Sequence, residues 1–435
     1  MGYEQFVGLC VFFVMLALIV LGIPIFAAML ACSFIGFCLI DGTATALIQF
    51  TNAPYNIIAD YSFAVIPLFI LMGEFAGAGG IADGAYNAFT KWFTKLRGGI
   101  LMATVAGNAV FGACSGVPFA GMVVFTKIAM PQIEKYGYDK SQSLACISTA
   151  GILATLIPPS VPVIIVCILI NLSIGRTLVA GIIPGILCAI VLLITIWIVG
   201  LISPQKMPVI SDEKATWREK FSSLTLLWPM LGLFLLIIGG IYAGVFPPTV
   251  GGAIGAAGTL IYAIARGTDK RKIGRCFWDM VIVNAQIFVI IMAGYIFARF
   301  IALSGISDYF NKMIIAMEIP PLAVMAIVLF FYILMGCVGE LMAVLIITLP
   351  IVFPLLTGLG FDPYAFAIIL IFMQGIGGIT PPIGMNVFIV ASLARVDAMD
   401  VFRGIIPYFL AQLALVWIII LFPEIVTWLP NIFFR

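Results

Sequence analysis

The chain has 435 residues, 63% of them hydrophobic and only 9% charged, with 21 Lys and Arg against 19 Asp and Glu. A soluble domain carries about 25% charged residues, so a soluble enzyme, a disordered chain and a nucleic-acid binder are all excluded. Apolar runs near 20 residues recur from end to end, as in an all-α polytopic membrane protein.

Taken in order, the apolar segments span roughly 5–21, 24–40, 63–79, 99–126, 142–172, 178–202, 224–243, 248–265, 277–300, 322–353, 364–393 and 404–422. Residues 1–5 lack Lys and Arg, so the first segment reads as a retained span rather than a cleaved signal. Segment 99–126 carries Gly112, Ser115, Gly116 and Pro118 in its middle, and 322–353 carries Gly336, Gly339 and Glu340. Both read as re-entrant hairpins. Segment 142–172 is interrupted by Pro158-Pro159 and Pro162, and 364–393 by Thr380-Pro381-Pro382 and Gly384. A Pro pair removes two backbone donors and clashes with the preceding turn, so each of these helices must unwind. Tyr86, Phe89, Trp92, Phe93 and Leu96 form one stripe with Lys91 and Lys95 beside it, the pattern of an interfacial helix or of a docking surface for another subunit.

The breaks recur. At an offset of 223 residues, Pro131 falls on Pro354, Asp139 on Asp362, Pro158-Pro159 on Pro381-Pro382, and Gly181-Ile182-Ile183-Pro184 on Gly404-Ile405-Ile406-Pro407. The chain therefore divides into a first repeat over 1–203, a polar cytoplasmic linker over 204–223 and a second repeat over 224–435. Loop 266–275 holds five Lys and Arg while its counterpart, 43–52, holds none; loop 127–140 holds three and 350–363 none. Cytoplasmic loops gather positive charge, so the repeats are inverted. Ten full crossings plus two hairpins, with the N-terminus periplasmic, put 17 of the 21 Lys and Arg on the cytoplasmic side.

Two hairpin tips and two breaks, paired by inversion, predict one midplane site. Unwound carbonyls and helix C-termini suit Na⁺, and half-helix N-termini suit an anion. The first Na⁺ site would join Gly112, Ser115 and Gly116 to Pro158 and Ser160. The second would join Gly336, Gly339 and Glu340 to Thr380 and Gly384. Ser115, Asn108, Ser160, Asn386 and Arg299 are the candidate substrate residues. A carboxylate in the apolar hairpin, Glu340, costs roughly 2.5–3.5 kcal/mol on insertion scales, which a cation, a proton or an aqueous cavity at the tip would offset. Glu74 and Arg299 would bind ligands or snorkel. No His occurs, and the nine Cys include no C-x-x-C pair, so His-based catalysis, disulfide frameworks and metal clusters are excluded. No Walker loop, voltage-sensor helix or potassium filter occurs either.

Several motifs, in this order, resemble the large membrane subunit of tripartite ATP-independent periplasmic (TRAP) transporters, the DctM/SiaM type. They are Ile66-Pro67-Leu68-Phe69 through Gly79-Gly80-Ile81-Ala82-Asp83, Leu96-Arg97-Gly98-Gly99, Phe111 through Gly116, Gly137-Tyr138-Asp139, Ile157 through Pro162, Ala180 through Gly185, and Gly378 through Gly384. The resemblance implies a non-enzymatic, Na⁺-coupled importer of small organic-acid anions, carboxylates or sulfonates, in a bacterial inner membrane. It implies two Na⁺ sites at the hairpin tips and an elevator movement. It also implies a small four-helix membrane subunit and a periplasmic substrate-binding protein as partners. The sequence departs from the family where Val117-Pro118 follows Ser115-Gly116, with a hydroxyl lost, and where Glu340-Leu341-Met342 replaces Asp followed by Thr. The rival within transport is a stand-alone Na⁺- or H⁺-coupled anion symporter or antiporter without a binding protein.

Overall fold

A computed structural model describes residues 2–209, 216–225 and 227–434, with the side chain of Ile315 left out. The chain is a polytopic helical membrane protein, and among the described residues there is no strand. Nine helices there are long and apolar enough to cross a bilayer, or eleven if two bent pairs each count as one span.

The hairpins extend further than their apolar runs. Hairpin 1 consists of Gly99–Ser115 and Pro118–Lys135, and hairpin 2 of Pro321–Val338 and Leu341–Gly358. The second arms are both 18 residues long and begin at equivalent positions of the 223-residue offset. The first broken helix runs Lys140–Ala150 and Leu153–Leu156, then Val161–Leu169 after the break. The second runs Pro363–Gly377, then Met385–Ala394. Both Pro-Pro peptide bonds in the breaks are cis. Asp139 and Asp362 sit at equivalent starts, each accepting hydrogen bonds from N–H groups of the first turn, which satisfies donors that the helix cannot.

Three expected boundaries shift. The stretch 43–52, expected as a loop, is helical within Ile25–Ile58, where only Gly42 leaves the helix with φ 88°. Gly adopts that positive φ without a Cβ penalty, and the Ala- and Leu-containing residues beyond it resume the helix. Loop 266–275 is cut short because Asp269 caps a helix spanning Lys270–Ser304. Its 35 residues extend roughly 52 Å, beyond a ~30 Å hydrocarbon core, so the basic residues sit on a helical projection. Thirdly, the aromatic stripe near Tyr86 does not face one environment. Within Ile81–Phe93, Tyr86 is buried and its backbone lies against Gly107 of hairpin 1. Trp92 packs edge-on against Trp217 and Phe221 of Trp217–Leu224 and donates through Nε1–H to the Lys220 carbonyl at 3.1 Å. The stripe is shared between hairpin and linker because both offer apolar area that the bilayer surface would otherwise supply. Residues 210–215 of the expected linker lie outside the described residues.

Small residues let the hairpins approach the broken helices closely, as expected where apolar burial gives helices no preference for each other over lipid. A Cβ added to Gly336 would fall 2.7 Å from the Cα of Gly377, and one on Gly112 would fall 3.1 Å from the Cα of Ala154. These contacts position the tips.

Candidate functional site

Each hairpin tip is hydrogen-bonded to the break of its own repeat. Val161, first residue after the first break, donates its N–H to the carbonyl of Gly116 at 3.1 Å. Gly384, just past the second break, donates its N–H to the carbonyl of Cys337 at 2.9 Å. The two donors, 161 and 384, are equivalent in the repeat. Gly116 takes a left-handed conformation at the tip, and a Cβ there would overlap the Pro159 carbonyl. Cys337 also donates its thiol to the Pro381 carbonyl at 3.1 Å.

Of the residues expected around the first tip, Gly112 lies on Ala154 of the first broken helix and Gly116 on the Pro159 carbonyl, next to Pro158 and Ser160 in the chain, while Ser115 lies against Gly73 of Val65–Ala78. The Ser160 hydroxyl is committed locally: it donates to the Thr155 carbonyl at 2.6 Å and accepts from the Val163 N–H at 3.4 Å. The Ser115 hydroxyl is different. It is buried without a hydrogen-bond partner, and such a group is left unsatisfied at a cost of ~1–3 kcal/mol.

Around the second tip, Gly336 lies on Gly377, and Gly339 ends the first arm. Glu340 caps the second arm by accepting from the Ala343 N–H at 3.0 Å. Thr380 donates its hydroxyl to the Ile376 carbonyl at 2.8 Å. Gly384 opens the helix after the break with φ 51°.

Cavities of very different size lie beside these elements. A large cleft of about 1090 Å³ runs from a charged end, with Glu74, Lys127, Lys272, Arg275 and Asp279, to Val117, Pro118 and Glu340 at the tips. Arg275 and Asp279 pair there at 3.7 Å. A small central cavity of about 10 Å³, the size of one water, lies between both tips and both broken helices. Phe119, Thr155, Leu341, Gln374 and Asn386 are on its wall. A third pocket of about 240 Å³ holds Arg299, with Tyr295, Leu169 and Pro350 beside it.

Four of the five expected substrate residues are therefore not on the wall of the central cavity: Ser115 and Ser160 stay at the first tip and break, and Asn108 and Arg299 lie elsewhere. Asn108 is fully buried between the arms of hairpin 1, against Gly121, with neither amide atom hydrogen-bonded. Arg299 donates to Gln49 Oε1 at 2.7 Å and to Tyr295 Oη at 2.8 Å, in the third pocket. Asn386 does line the central cavity. One residue there was missed in the sequence: Gln374, 1% exposed, whose Oε1 has no partner. Its only signal is an isolated amide in the apolar run 364–377. Among the described residues no group of three His, Cys, Asp or Glu could hold a metal ion, so any cation here would rely on carbonyls, hydroxyls and a single carboxylate.

A family model described as tripartite ATP-independent periplasmic transporter, DctM component, matches residues 12–425. The ectoine TRAP transporter large permease protein TeaC of Halomonas elongata is 30% identical over 97% of this chain and 98% of its own. The C4-dicarboxylate TRAP transporter large permease protein DctM of Vibrio cholerae is 28% identical over 97% of each. Among solved structures, the Alcanivorax borkumensis YdaH transporter superposes with a TM-score of 0.63 at 16% identity, over 88% of this chain and 90% of that one. At that identity the likeness concerns the fold alone.

Proposed function

The chain belongs to the DctM family of tripartite ATP-independent periplasmic transporters, and from that premise we propose that it imports a small organic anion in symport with Na⁺. It is a transporter subunit, not an enzyme. The reading places it in a bacterial inner membrane, N-terminus periplasmic, with a small four-helix subunit and a periplasmic binding protein as partners. Relatives are named for ectoine and for C4-dicarboxylates, so the substrate class is a small polar organic acid or zwitterion.

The observation that carries this reading is the paired bonding of tips to breaks: Val161 to Gly116 in one repeat, Gly384 to Cys337 in the other. Each junction faces a helix C-terminus, with its free carbonyls, toward a helix N-terminus. One Na⁺ would sit among Gly112, Ser115, Gly116, Pro158 and Ser160, where the Ser115 hydroxyl lacks a partner. The other would sit among Gly336, Gly339, Glu340, Thr380 and Gly384, where Glu340 supplies the charge. The anion would lie between them, near the N-terminal ends at Leu341 and Met385, which favour negative charge.

The large cleft opens toward Lys127, Lys272 and Arg275, on the side assigned to the cytoplasm. On the opposite side a Cβ at Gly294 of Lys270–Ser304 would overlap Ile346 of hairpin 2. This combination corresponds to an inward-facing state, and an elevator displacement of the hairpins and broken helices along Lys270–Ser304 would reverse it. Each inward Na⁺ gains ~2.3 kcal/mol per 100 mV. The test is uptake by the complete transporter in proteoliposomes, with an inward Na⁺ gradient against an equal K⁺ gradient. Accumulation with Na⁺ alone supports the reading. Uptake that follows a proton gradient and ignores Na⁺ refutes it.

A further inference from the structure

The two repeats share a backbone plan, but they do not share polar side chains at the central cavity. Gln374 and Asn386 both reach it from the second repeat. At the 223-residue offset their counterparts are Gly151 and Val163, which have no hydrogen-bonding side chain. On the first-repeat side the cavity wall is Phe119, Ile152, Pro118 and Thr155. Thr155 is the one polar residue among them, and its hydroxyl donates to the Ile152 carbonyl at 2.7 Å.

Backbone donors show the same imbalance. The helix after the first break starts with Val161, whose N–H is taken by Gly116, and Pro162, which has none. The second arm of hairpin 1 starts with Pro118, again without an N–H. Their second-repeat counterparts, Met385 and Leu341, each carry one. No Lys or Arg lines the cavity. Meanwhile Gln374, almost wholly buried, has no hydrogen-bond partner for its Oε1 within the protein, so this end of its amide is not committed to the fold and the amide can turn its N–H donors toward a ligand.

We propose that Gln374 and Asn386 make the single polar end of a substrate site that widens from the water-sized central cavity when ligand enters, so that the transporter selects molecules with one anionic head and a weakly polar tail over dianions charged at both ends. This rests on the transport reading above and narrows its substrate class. The head accepts from the amide N–H groups of Gln374 and Asn386 and lies near the helix N-termini at Leu341 and Met385. The tail lies against Phe119 and Ile152. A second carboxylate or sulfonate at that end would lose its water and meet almost no donors, which is strongly unfavourable.

The test uses matched probes that differ in one charge: ethanesulfonate against 1,2-ethanedisulfonate, and propionate against succinate. Binding is read from thermal unfolding of the purified complex of large and small subunits in saturating NaCl at pH 7.5. At least one monoanion is expected to bind tenfold or more tightly than its dianion partner. Gln374→Leu should weaken that monoanion at least tenfold while leaving the Na⁺-dependent stabilisation unchanged. Gln374→Glu, nearly isosteric, should do the same by repulsion and serves if the Leu variant does not fold. The proposal is overturned if a dianion binds as tightly as its partner, if no monoanion binds while Na⁺ does, or if the Gln374 variants bind as the parent does. Failure of Na⁺ alone to stabilise the parent, with monoanion preference intact, would instead count against Na⁺ coupling and leave the selectivity standing.

Discussion

Gly336→Ala perturbs the closest approach between hairpin 2 and the second broken helix. Its new Cβ would meet the Gly377 Cα at 2.7 Å, the Gly377 carbonyl carbon at 3.1 Å and the Gln374 carbonyl at 3.2 Å. All three are backbone atoms within one helix, so no side-chain rotation can relieve the contact. Ordinary contact begins near 3.4 Å, so the arm must retreat by several tenths of an ångström. Overpacking of this kind costs ~1–3 kcal/mol. The same retreat stretches the Gly384 to Cys337 hydrogen bond, now 2.9 Å, whose net worth is ~1 kcal/mol. The sum, about 2–4 kcal/mol, should lower the melting temperature of the purified complex and remove part of the Na⁺-dependent stabilisation. Gly358→Ala is the matched control: it sits at the end of the same hairpin with nothing within 4 Å of its added Cβ, so it should be neutral or mildly stabilising. Equal melting of the two variants would refute the packing argument.

Ser115→Ala removes a buried hydroxyl that has no partner; the ion-free protein should melt at the same temperature or higher, while its apparent Na⁺ affinity falls at least tenfold. Glu340→Gln keeps an oxygen to accept from Ala343 but loses the charge, so the variant should fold and its Na⁺-driven uptake should drop by tenfold or more, checked by initial rates against Na⁺ concentration. Trp92→Ala removes the partner of Trp217 and Phe221 and the acceptor role of the Lys220 carbonyl; trypsin should then cut at Arg218 and Lys220 faster, with little change in overall melting.

The sequence exposes the parts of this fold that depend on backbone chemistry. Pro158-Pro159 and Pro381-Pro382 cannot sit inside a regular helix, and Gly116 and Gly339 mark tips, so hairpins and breaks are legible together with their 223-residue spacing. Their pairing is legible too, because inversion leaves few ways to bring two tips to two breaks. Side-chain placement is another matter. Asn108 and Arg299 are polar residues in apolar runs, as Gln374 is, and spacing alone does not separate them. Only packing shows that Asn108 faces Gly121 inside its hairpin, that Arg299 belongs with Gln49 and Tyr295, and that Gln374 reaches the cavity between the tips. The short helices Ile306–Ala316 and Glu424–Phe433 also escape the apolar segments, because they are too short to span and their stability comes from the helices beneath them.

The most direct test of the paired cation sites is hydrogen exchange on the purified complex in NaCl and in KCl at equal ionic strength. A ligand that binds the closed form protects the amides around it by about tenfold for each ~1.4 kcal/mol of stabilisation. The account predicts Na⁺-specific protection in four separate stretches, 112–118, 157–163, 336–343 and 378–386, with the rest of the protein little changed. Identical exchange in the two salts at both tips, or Na⁺ protection confined to other helices, would contradict it.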